Sequence, residues 1–242
     1  MIGGFLNIEA LVRDYVDAAL HPRLAGMRST PDPYMPAAMY DSSRMQTDDW
    51  RPWKPVPSTV TDEQLDRLEE EIGLRFPPSY RTLLKYKHFY ALTEGGLRFE
   101  RHVIGRWEDT LLAAYDSWDP ERIVGAGLIP FGSESFMDAG PVCFDTGNRL
   151  PDGECPVVYW DHEWIGTEKE VQPMFSSSLK MFEALRFLAE NGWAFFHHDE
   201  KDRPADVAKK VGMVRRFLAI DPEGAGGPAR EYWTCWLGAG EI

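Results

Sequence analysis

The sequence lacks the long apolar runs, closely spaced cysteines and basic excess that mark three broad classes of protein. No segment approaches the ~20 consecutive apolar residues that a membrane-spanning helix needs. Residues 1–7 lack the basic start and apolar stretch of a secretory signal. The three cysteines, Cys143, Cys155 and Cys235, are odd in number and widely spaced, unlike a disulfide framework or a zinc pair. We therefore expect a cytoplasmic protein with reduced thiols and no membrane partner.

Basic residues are scarce relative to acidic ones, and the imbalance is concentrated in one part of the chain. The sequence has 26 Lys and Arg against 39 Asp and Glu, a net charge of −13. Residues 100–200 hold 19 acidic and 7 basic residues, a net charge of −12. A surface of that sign repels nucleic acid and attracts cationic partners, although an acidic excess also serves simply to keep a protein in solution. The charge thus argues against nucleic-acid binding. It is compatible both with a cationic partner and with a role in keeping the protein in solution.

Motifs for metal binding, phosphate binding and catalysis are missing or incomplete. The run HHDE at 197–200 is the densest group of ligand-type residues, but adjacent side chains generally point apart and do not chelate one ion. His162 and Glu163 begin an HExxH motif in which Gly166 stands where the second histidine belongs. Residues 125–130 lack the third glycine of a dinucleotide loop, and residues 132–135 do not form a nucleophile elbow. We expect no enzyme activity, no cofactor and no metal; a carboxylate pair in an unrecognised hydrolase stays open as an alternative.

Several segments carry clear secondary-structure signals. Thr61 and Gln64 form a capping box for a helix that ends at Gly73, and Pro77-Pro78 opens the next helix. The proline-rich residues 22–57 predict an irregular arm that packs down on the body. Helical spacing predicts further helices over 5–20, 108–118, 177–190 and 205–219. Short apolar or alternating runs predict strands over 97–104, 128–131, 141–145 and 156–164.

An ordered series of short motifs runs from residue 57 to residue 190. The motifs are an E…G…FPPSY..LL pattern over 63–84, LIPFG at 128–132, VCFD at 142–145, VVYWDHE at 157–163 and SSSL..F..L at 176–185. In this order they resemble the opening helix pair, the strands and the closing helix of the SUKH superfamily, the Smi/Knr-like proteins. Residues 134–138 depart from the glycine-and-aspartate turn that is common in that superfamily.

This resemblance implies an α+β fold in which helices pack around a twisted, mainly antiparallel sheet. It divides the chain into an N-terminal helix and proline-rich arm (1–56), a SUKH-like domain (57–190) and a C-terminal extension with an amphipathic helix (191–242). It also implies a non-catalytic binding protein: bacterial members are typically immunity proteins that neutralise toxins, often nucleases, and fungal members regulate cell-wall signalling. A toxin-binding immunity protein with a cationic partner is the leading expectation, and a regulatory or scaffold protein is the alternative.

The predicted strand 156–164 supplies the candidate binding surface. Alternation along it places Trp160 and Trp164 in the core and turns Tyr159, Asp161 and Glu163 toward solvent. Those residues, with acidic residues of neighbouring segments, are the expected partner-binding set: Tyr159, Asp161, Glu163, Asp145, Glu134, Asp138 and Glu100. Their negative charge suits a cationic partner such as the nucleic-acid cleft of a nuclease.

Overall fold

The computed structural model describes residues 7–47, 49–134, 140–193 and 204–238, and within them helices pack against an antiparallel sheet. The helices are α1 (Ile8–Ala19), α2 (Asp62–Ile72), α3 (Pro78–Tyr86), α4 (Trp107–Asp116), α5 (Pro120–Gly125), α6 (Ser178–Glu190), α7 (Pro204–Ile220) and α8 (Arg230–Trp236). The strands are β1 (Ser29–Thr30), β2 (Arg51–Pro52), β3 (Val56–Pro57), β4 (Lys87–His88), β5 (Thr93–Glu94), β6 (Leu97–Phe99), β7 (Leu128–Glu134), β8 (Pro141–Asp145), β9 (Val157–Trp160) and β10 (Val171–Phe175). The α+β fold class predicted from the sequence is confirmed.

The main sheet has six strands in the order β10-β9-β8-β7-β6-β5. Each strand pairs antiparallel with its neighbour in the chain, so the sheet is a meander with β5 and β10 at its edges. Two short ribbons, β1 with β2 and β3 with β4, lie outside it. The edge strand β10 contains Pro173, which lacks a backbone N–H and is tolerated at an edge because no ladder bond is lost.

The helix pair α2–α3 forms as the sequence predicts. The Thr61 hydroxyl accepts a hydrogen bond from the Gln64 backbone N–H at 3.3 Å, and the Gln64 side chain accepts one from the Thr61 N–H at 3.0 Å. Gly73 ends α2 with φ at +78°, a left-handed conformation that glycine adopts without strain. Pro78 occupies the first turn of α3, where its missing N–H has no partner to lose.

One buried carboxylate joins the beginnings of α3 and α6. Glu154 accepts hydrogen bonds from the Ser79 backbone N–H at 3.0 Å, from the Ser79 hydroxyl at 2.6 Å and from the Ser178 hydroxyl. Both helices direct the positive ends of their dipoles at this carboxylate, which favours its negative charge. Burial acts in the opposite sense and raises its pKa. The contact fixes the helix pair against the last helix of the sheet-bearing region.

The N-terminal helix belongs to the main hydrophobic core. On one face of the sheet, the ring of Tyr15 in α1 lies 5.7 Å from that of Phe182 in α6 and 6.1 Å from that of Phe99 in β6. These are packing distances for aromatic pairs. Leu11 and Val16 are buried on the same side of α1, as its helical spacing predicts.

The C-terminal segment closes the core beside the edge strand β10. The ring of Trp233 in α8 lies 4.9 Å from that of Phe175 and 5.0 Å from that of Phe217 in α7. Its indole N–H also donates to the Met174 carbonyl at 3.0 Å. The carboxylate of Asp221, between the two helices, accepts from the Ser176 backbone N–H at 2.8 Å. Helix α8 is absent from the sequence expectation, which leaves residues 221–242 as a tail.

The second face of the sheet is also covered, and this overturns the predicted orientation of residues 156–164. Trp160 is buried there against Ile123 of α5, with Cys143 and Val158. Tyr159, expected toward solvent, instead points into the main core on the other face. Period-two alternation predicts that the two faces differ, but it does not reveal whether a second layer of helices covers the outer one.

Two other elements differ from their predicted extent. The expected strand 97–104 is a regular strand only over Leu97–Phe99. Alternation along 97–104 turns His102 outward, but His102 is buried, with its ring 5.7 Å from that of Trp107. The expected helix 108–118 is α4, and a separate short helix, α5, follows because Asp119 caps a new N-terminus ahead of Pro120.

Candidate functional site

The connection between β9 and β10 projects from the sheet and carries exposed apolar side chains. The strand ends at Trp160 because the Asp161 carboxylate accepts the Glu163 backbone N–H at 2.9 Å and starts a short 3-10 turn. That turn redirects the chain, so Trp164 is 43% exposed and Ile165 is 44% exposed. The expectation that Trp164 lies in the core is therefore wrong, while the burial of Trp160 is confirmed.

Glu170 holds this connection in a defined shape. Its carboxylate binds the Arg122 guanidinium of α5 through two hydrogen bonds, and it accepts the Gly166 backbone N–H at 2.7 Å and the Trp160 indole N–H at 3.1 Å. The hydrogen bonds from Arg122 are the main cause that lowers the pKa of Glu170 to about 2. A carboxylate with these partners stays ionised and ties the connection to α5 across the second face of the sheet.

Trp118, at the junction of α4 and α5, brings a second group of acids to the same place. Its ring lies 5.5 Å from that of His162 and 6.2 Å from that of Trp160. Exposed acidic and apolar residues lie around this contact, beside the exposed basic Arg122 and Lys169. We call the acidic and apolar residues together the hairpin surface: Asp116, Asp119, Glu121, Glu163, Trp164, Ile165 and Glu168.

Three of the residues predicted to bind a partner lie in the interior. Tyr159 is 1% exposed, Asp161 is 4% exposed and Glu134 is 5% exposed. For Tyr159 and Glu134 the cause is α8, because Tyr232 packs beside both and its hydroxyl donates a hydrogen bond to the Glu134 carboxylate. Asp161 is buried because its carboxylate caps the 3-10 turn. None of the three is an exposed contact.

The other predicted positions have mixed outcomes. Glu163 is exposed, as expected. Asp145 is half-buried, and its carboxylate accepts from the Asn148 backbone N–H at 3.1 Å and from the Asn148 amide at 2.7 Å, so it caps a turn. Glu100 is half-buried, and burial raises its pKa. Asp138 lies outside the residues that the structure describes.

Most of the hairpin surface was missed at the level of sequence. Asp116, Asp119 and Glu121 are far from residue 164 along the chain, and they approach it through the contacts of Trp118 with Trp160 and His162 and of Arg122 with Glu170. The sequence feature that could have indicated this surface is the segment DSWDPE at 116–121, in which three of six residues are acidic; it matches no known motif.

A wider groove of about 850 Å³ lies between the N-terminal arm and α4. Trp50 and Trp118 stand on its walls, and Arg98 on its floor donates to the Ser133 hydroxyl at 3.0 Å. Its lining mixes these groups with the acidic Asp109 and Glu100. The mixed charge gives the groove no preference for a partner of one sign, in contrast to the hairpin surface.

The described part of the chain contains no group of three or more His, Cys, Asp or Glu side chains arranged to hold a metal ion. The run at 197–200 lies outside it. No helix within the described ranges has both the length and the apolar character that a bilayer crossing requires.

Comparison with known protein families gives a match over the central part of the chain. Residues 59–183, more than half of the chain, match the model of the SMI1 / KNR4 family (SUKH-1). No curated protein matches the chain. The matched region includes the helix pair α2–α3, the strands β4 to β10 and the hairpin surface, and it excludes α1, α7 and α8.

Proposed function

Because the chain belongs to the SMI1/KNR4 family of the SUKH superfamily, we propose that it is a cytoplasmic immunity protein that neutralises a cognate toxin by direct binding. Membership of this family supports an immunity or regulatory role in general, and proteins of the family generally act without catalysis. The proposed partner is a cationic toxin domain, and the proposed contact is the hairpin surface.

The observation that carries this proposal is the exposure of Trp164 and Ile165 near five exposed acidic residues, which outnumber the basic Lys169 and Arg122 beside them. Large aromatic side chains that become desolvated supply most of the binding energy in protein interfaces. Charges around them add little affinity but steer the encounter and select partners of opposite sign. The ion pair of Glu170 with Arg122 holds the tip in place before binding, which reduces the entropy lost on association.

The sign of the charge favours a nuclease as the toxin. A nuclease binds the phosphate backbone through a cationic cleft. The exposed Asp116, Asp119, Glu121, Glu163 and Glu168 offer negative charges to such a cleft. Direct occlusion of the cleft would neutralise the toxin without any chemical step by the immunity protein.

The test uses the purified toxin domain encoded beside this gene, with association measured across a series of salt concentrations. Reversing Glu163 and Glu168 to Lys should slow association roughly tenfold at low salt and flatten its salt dependence, because the steering charges are lost. Trp164→Ala should instead raise the dissociation rate by a factor of about 30, as loss of a hot spot does. The matched control reverses Glu70 and Glu71, which are exposed near the end of α2.

Unchanged kinetics in both hairpin variants would remove this surface from the proposal. A neighbouring toxin that shows no binding to the wild-type protein would reject the immunity role. The regulatory role is then the remaining alternative, and a partner without toxic activity, captured with wild-type protein but not with Trp164→Ala, would support it.

A further inference from the structure

A small cavity opens between the β9–β10 connection and α8. Its volume is about 330 Å³, near the lower limit for ligand pockets, which is room for one long side chain. Trp164 stands at one side and Tyr232 of α8 at another, and Tyr159 contributes to the lining. Three aromatic residues of separate elements therefore surround one space next to the hairpin surface.

The ring of Trp164 already contacts a cation. The Lys169 ammonium lies 4.6 Å from the centre of that ring, within the range of a cation–π interaction. Lys169 is exposed and also lines the cavity. Because exposed contacts of this kind are weak, a cation that is better matched to the cavity can displace the ammonium.

Negative charge lies both at the edge of the cavity and behind its aromatic lining. The exposed Glu168 lines the cavity, and the buried Glu134 accepts a hydrogen bond from the Tyr232 hydroxyl. Burial, followed by the proximity of Glu134, raises the pKa of Tyr232, so this hydroxyl stays protonated and continues to donate. These two carboxylates outnumber the single ammonium of Lys169 in the lining, so the cavity favours a positively charged occupant over a negative one.

We infer that this cavity receives an arginine side chain of the partner protein. This inference rests on the proposed function, in which the partner is cationic, and it specifies how that partner is recognised. A guanidinium is planar and weakly hydrated, stacks on aromatic rings and pairs with a carboxylate through two parallel hydrogen bonds. Trp164, Tyr232 and Glu168 supply these two kinds of contact. A lysine ammonium, being compact and strongly hydrated, fits them less well.

The probe is the capped tripeptide acetyl-Gly-Arg-Gly-amide, titrated into the wild-type protein while the indole N–H signal of Trp164 is followed by NMR. Trp164→Phe identifies that signal. One isolated side chain should bind with a dissociation constant on the order of millimolar. The lysine peptide should bind about threefold more weakly, and the peptide containing citrulline, the neutral isostere of arginine, should give no saturable shift.

Two variants separate a binding role from a merely structural one. Glu168→Gln should weaken binding of the arginine peptide about threefold, because it removes the carboxylate at the cavity edge. Lys169→Met should strengthen binding by a similar factor, about threefold, because it removes the resident cation from the Trp164 ring. Lys54→Met, at an exposed position of the N-terminal arm, is the matched control and should leave binding unchanged.

Equal binding of the arginine and citrulline peptides, absence of binding by either, or no gain from Lys169→Met would overturn the inference. The result is independent of the toxin, so the two proposals fail separately. Arginine binding without toxin binding would reject the immunity role alone. Toxin binding that is unaffected by both Glu168→Gln and Lys169→Met would reject the arginine cavity alone.

Discussion

His88 and His102 stack on each other in the interior, with ring centres 4.5 Å apart and planes inclined by 23°. The Nδ1 of His88 contacts the His102 carbonyl at 3.2 Å, and the Nδ1 of His102 contacts the Lys87 carbonyl at 3.0 Å. A carbonyl only accepts, so both Nδ1 atoms carry a proton. The Nε2 of His88 accepts the Thr59 backbone N–H at 3.1 Å, so this nitrogen carries none. The pattern suits two neutral imidazoles.

This pair predicts a loss of stability in mild acid. Burial lowers the pKa of His88, and burial together with the proximity of His88 lowers the pKa of His102 to about 3. Both values lie below that of an unfolded histidine, so the unfolded chain binds more protons below about pH 6.5. The free energy of unfolding should therefore fall as the pH drops from 6.5 to 5, with His102 alone accounting for roughly 1–2 kcal/mol and His88 acting in the same direction.

Urea denaturation of His102→Phe, compared with wild type at pH 6.5 and pH 5, checks this. The variant should lose roughly 1–2 kcal/mol less than the wild type over that interval, whatever its stability at pH 6.5. His162→Gln, which removes an exposed imidazole, is the control and should keep the wild-type difference. Parallel losses in wild type and His102→Phe would show that His102 does not titrate in this way.

Glu94 should make the stability of the protein depend on pH in the opposite direction. It is buried in β5 with one carboxylate oxygen that has no hydrogen-bond partner among the described residues, and burial raises its pKa to about 8. The folded protein thus binds more protons than the unfolded chain between about pH 4.5 and pH 8, and stability falls as the pH rises through that window. The Glu94→Gln substitution should raise the free energy of unfolding, relative to wild type, by on the order of 2–3 kcal/mol more at pH 7 than at pH 4.5. Denaturation at both pH values measures this, with the exposed Glu70→Gln as the control; equal effects of Glu94→Gln at the two pH values would contradict it.

The two tryptophans at the end of β9 should respond very differently to truncation. Trp160→Ala should cost roughly 3–5 kcal/mol, because it empties a site packed against Ile123 and Cys143 and leaves Glu170 without its indole donor. Trp164→Ala should cost at most about 1 kcal/mol, because Trp164 is 43% exposed and lies outside the buried core. Thermal and chemical denaturation of the two variants side by side decides the point. Similar losses in both would mean that Trp164 is part of the core after all.

Asp221 should hold the C-terminal helices to the sheet. Besides the Ser176 contact at the end of β10, its carboxylate accepts the backbone N–H groups of Gly224 and Ala225, each at 3.1 Å. Asp221→Ala leaves the Ser176 and Ala225 N–H groups without an acceptor and should cost roughly 2–5 kcal/mol. Hydrogen exchange should accelerate first in α7 and α8. Glu223→Ala, at an exposed neighbouring position, is the control and should change neither the free energy of unfolding nor the exchange rates in α7 and α8. Exchange that accelerates in α2 before α7 would contradict the prediction.

Local signals in the sequence predicted the elements whose cause is local. The α2–α3 pair depends on Thr61, Gln64, Gly73 and Pro78, and each acts on residues within one turn of itself. The buried side of α1 follows from helical spacing alone. The closing helix was predicted as 177–190 and occurs as Ser178–Glu190, because the Ser177 hydroxyl caps it.

The candidate site was harder to predict because long-range contacts determine it. Helix α8 covers Tyr159, and α5 covers Trp160. The alternation of residues 156–160 between the two faces of the sheet would be the same without these helices, so it does not predict them. Asp161 fits a strand as well as a cap, and only its bond to the Glu163 N–H shows that the strand has ended. The predicted helix 205–219 shows the same limit: Lys210 lies off its apolar stripe, where solvent exposure is the default, yet it is buried beside the ring of Trp193.

The packing of α1 against α6 has a consequence for synthesis of the protein on the ribosome. Asp14 and Arg186 form an ion pair at 3.4 Å across a separation of 172 residues, and Tyr15 meets Phe182 beside it. At about 5–20 residues per second, the apolar side of the nascent N-terminal helix waits roughly 10–35 seconds for its partner to be translated. During that interval Leu11, Tyr15 and Val16 are available to chaperones, and contacts so distant in sequence slow folding. We expect folding to begin with the locally encoded α2–α3 pair, whose Tyr86 contacts Asp17 of α1, and the cover of α1 to be completed only when α6 has been made.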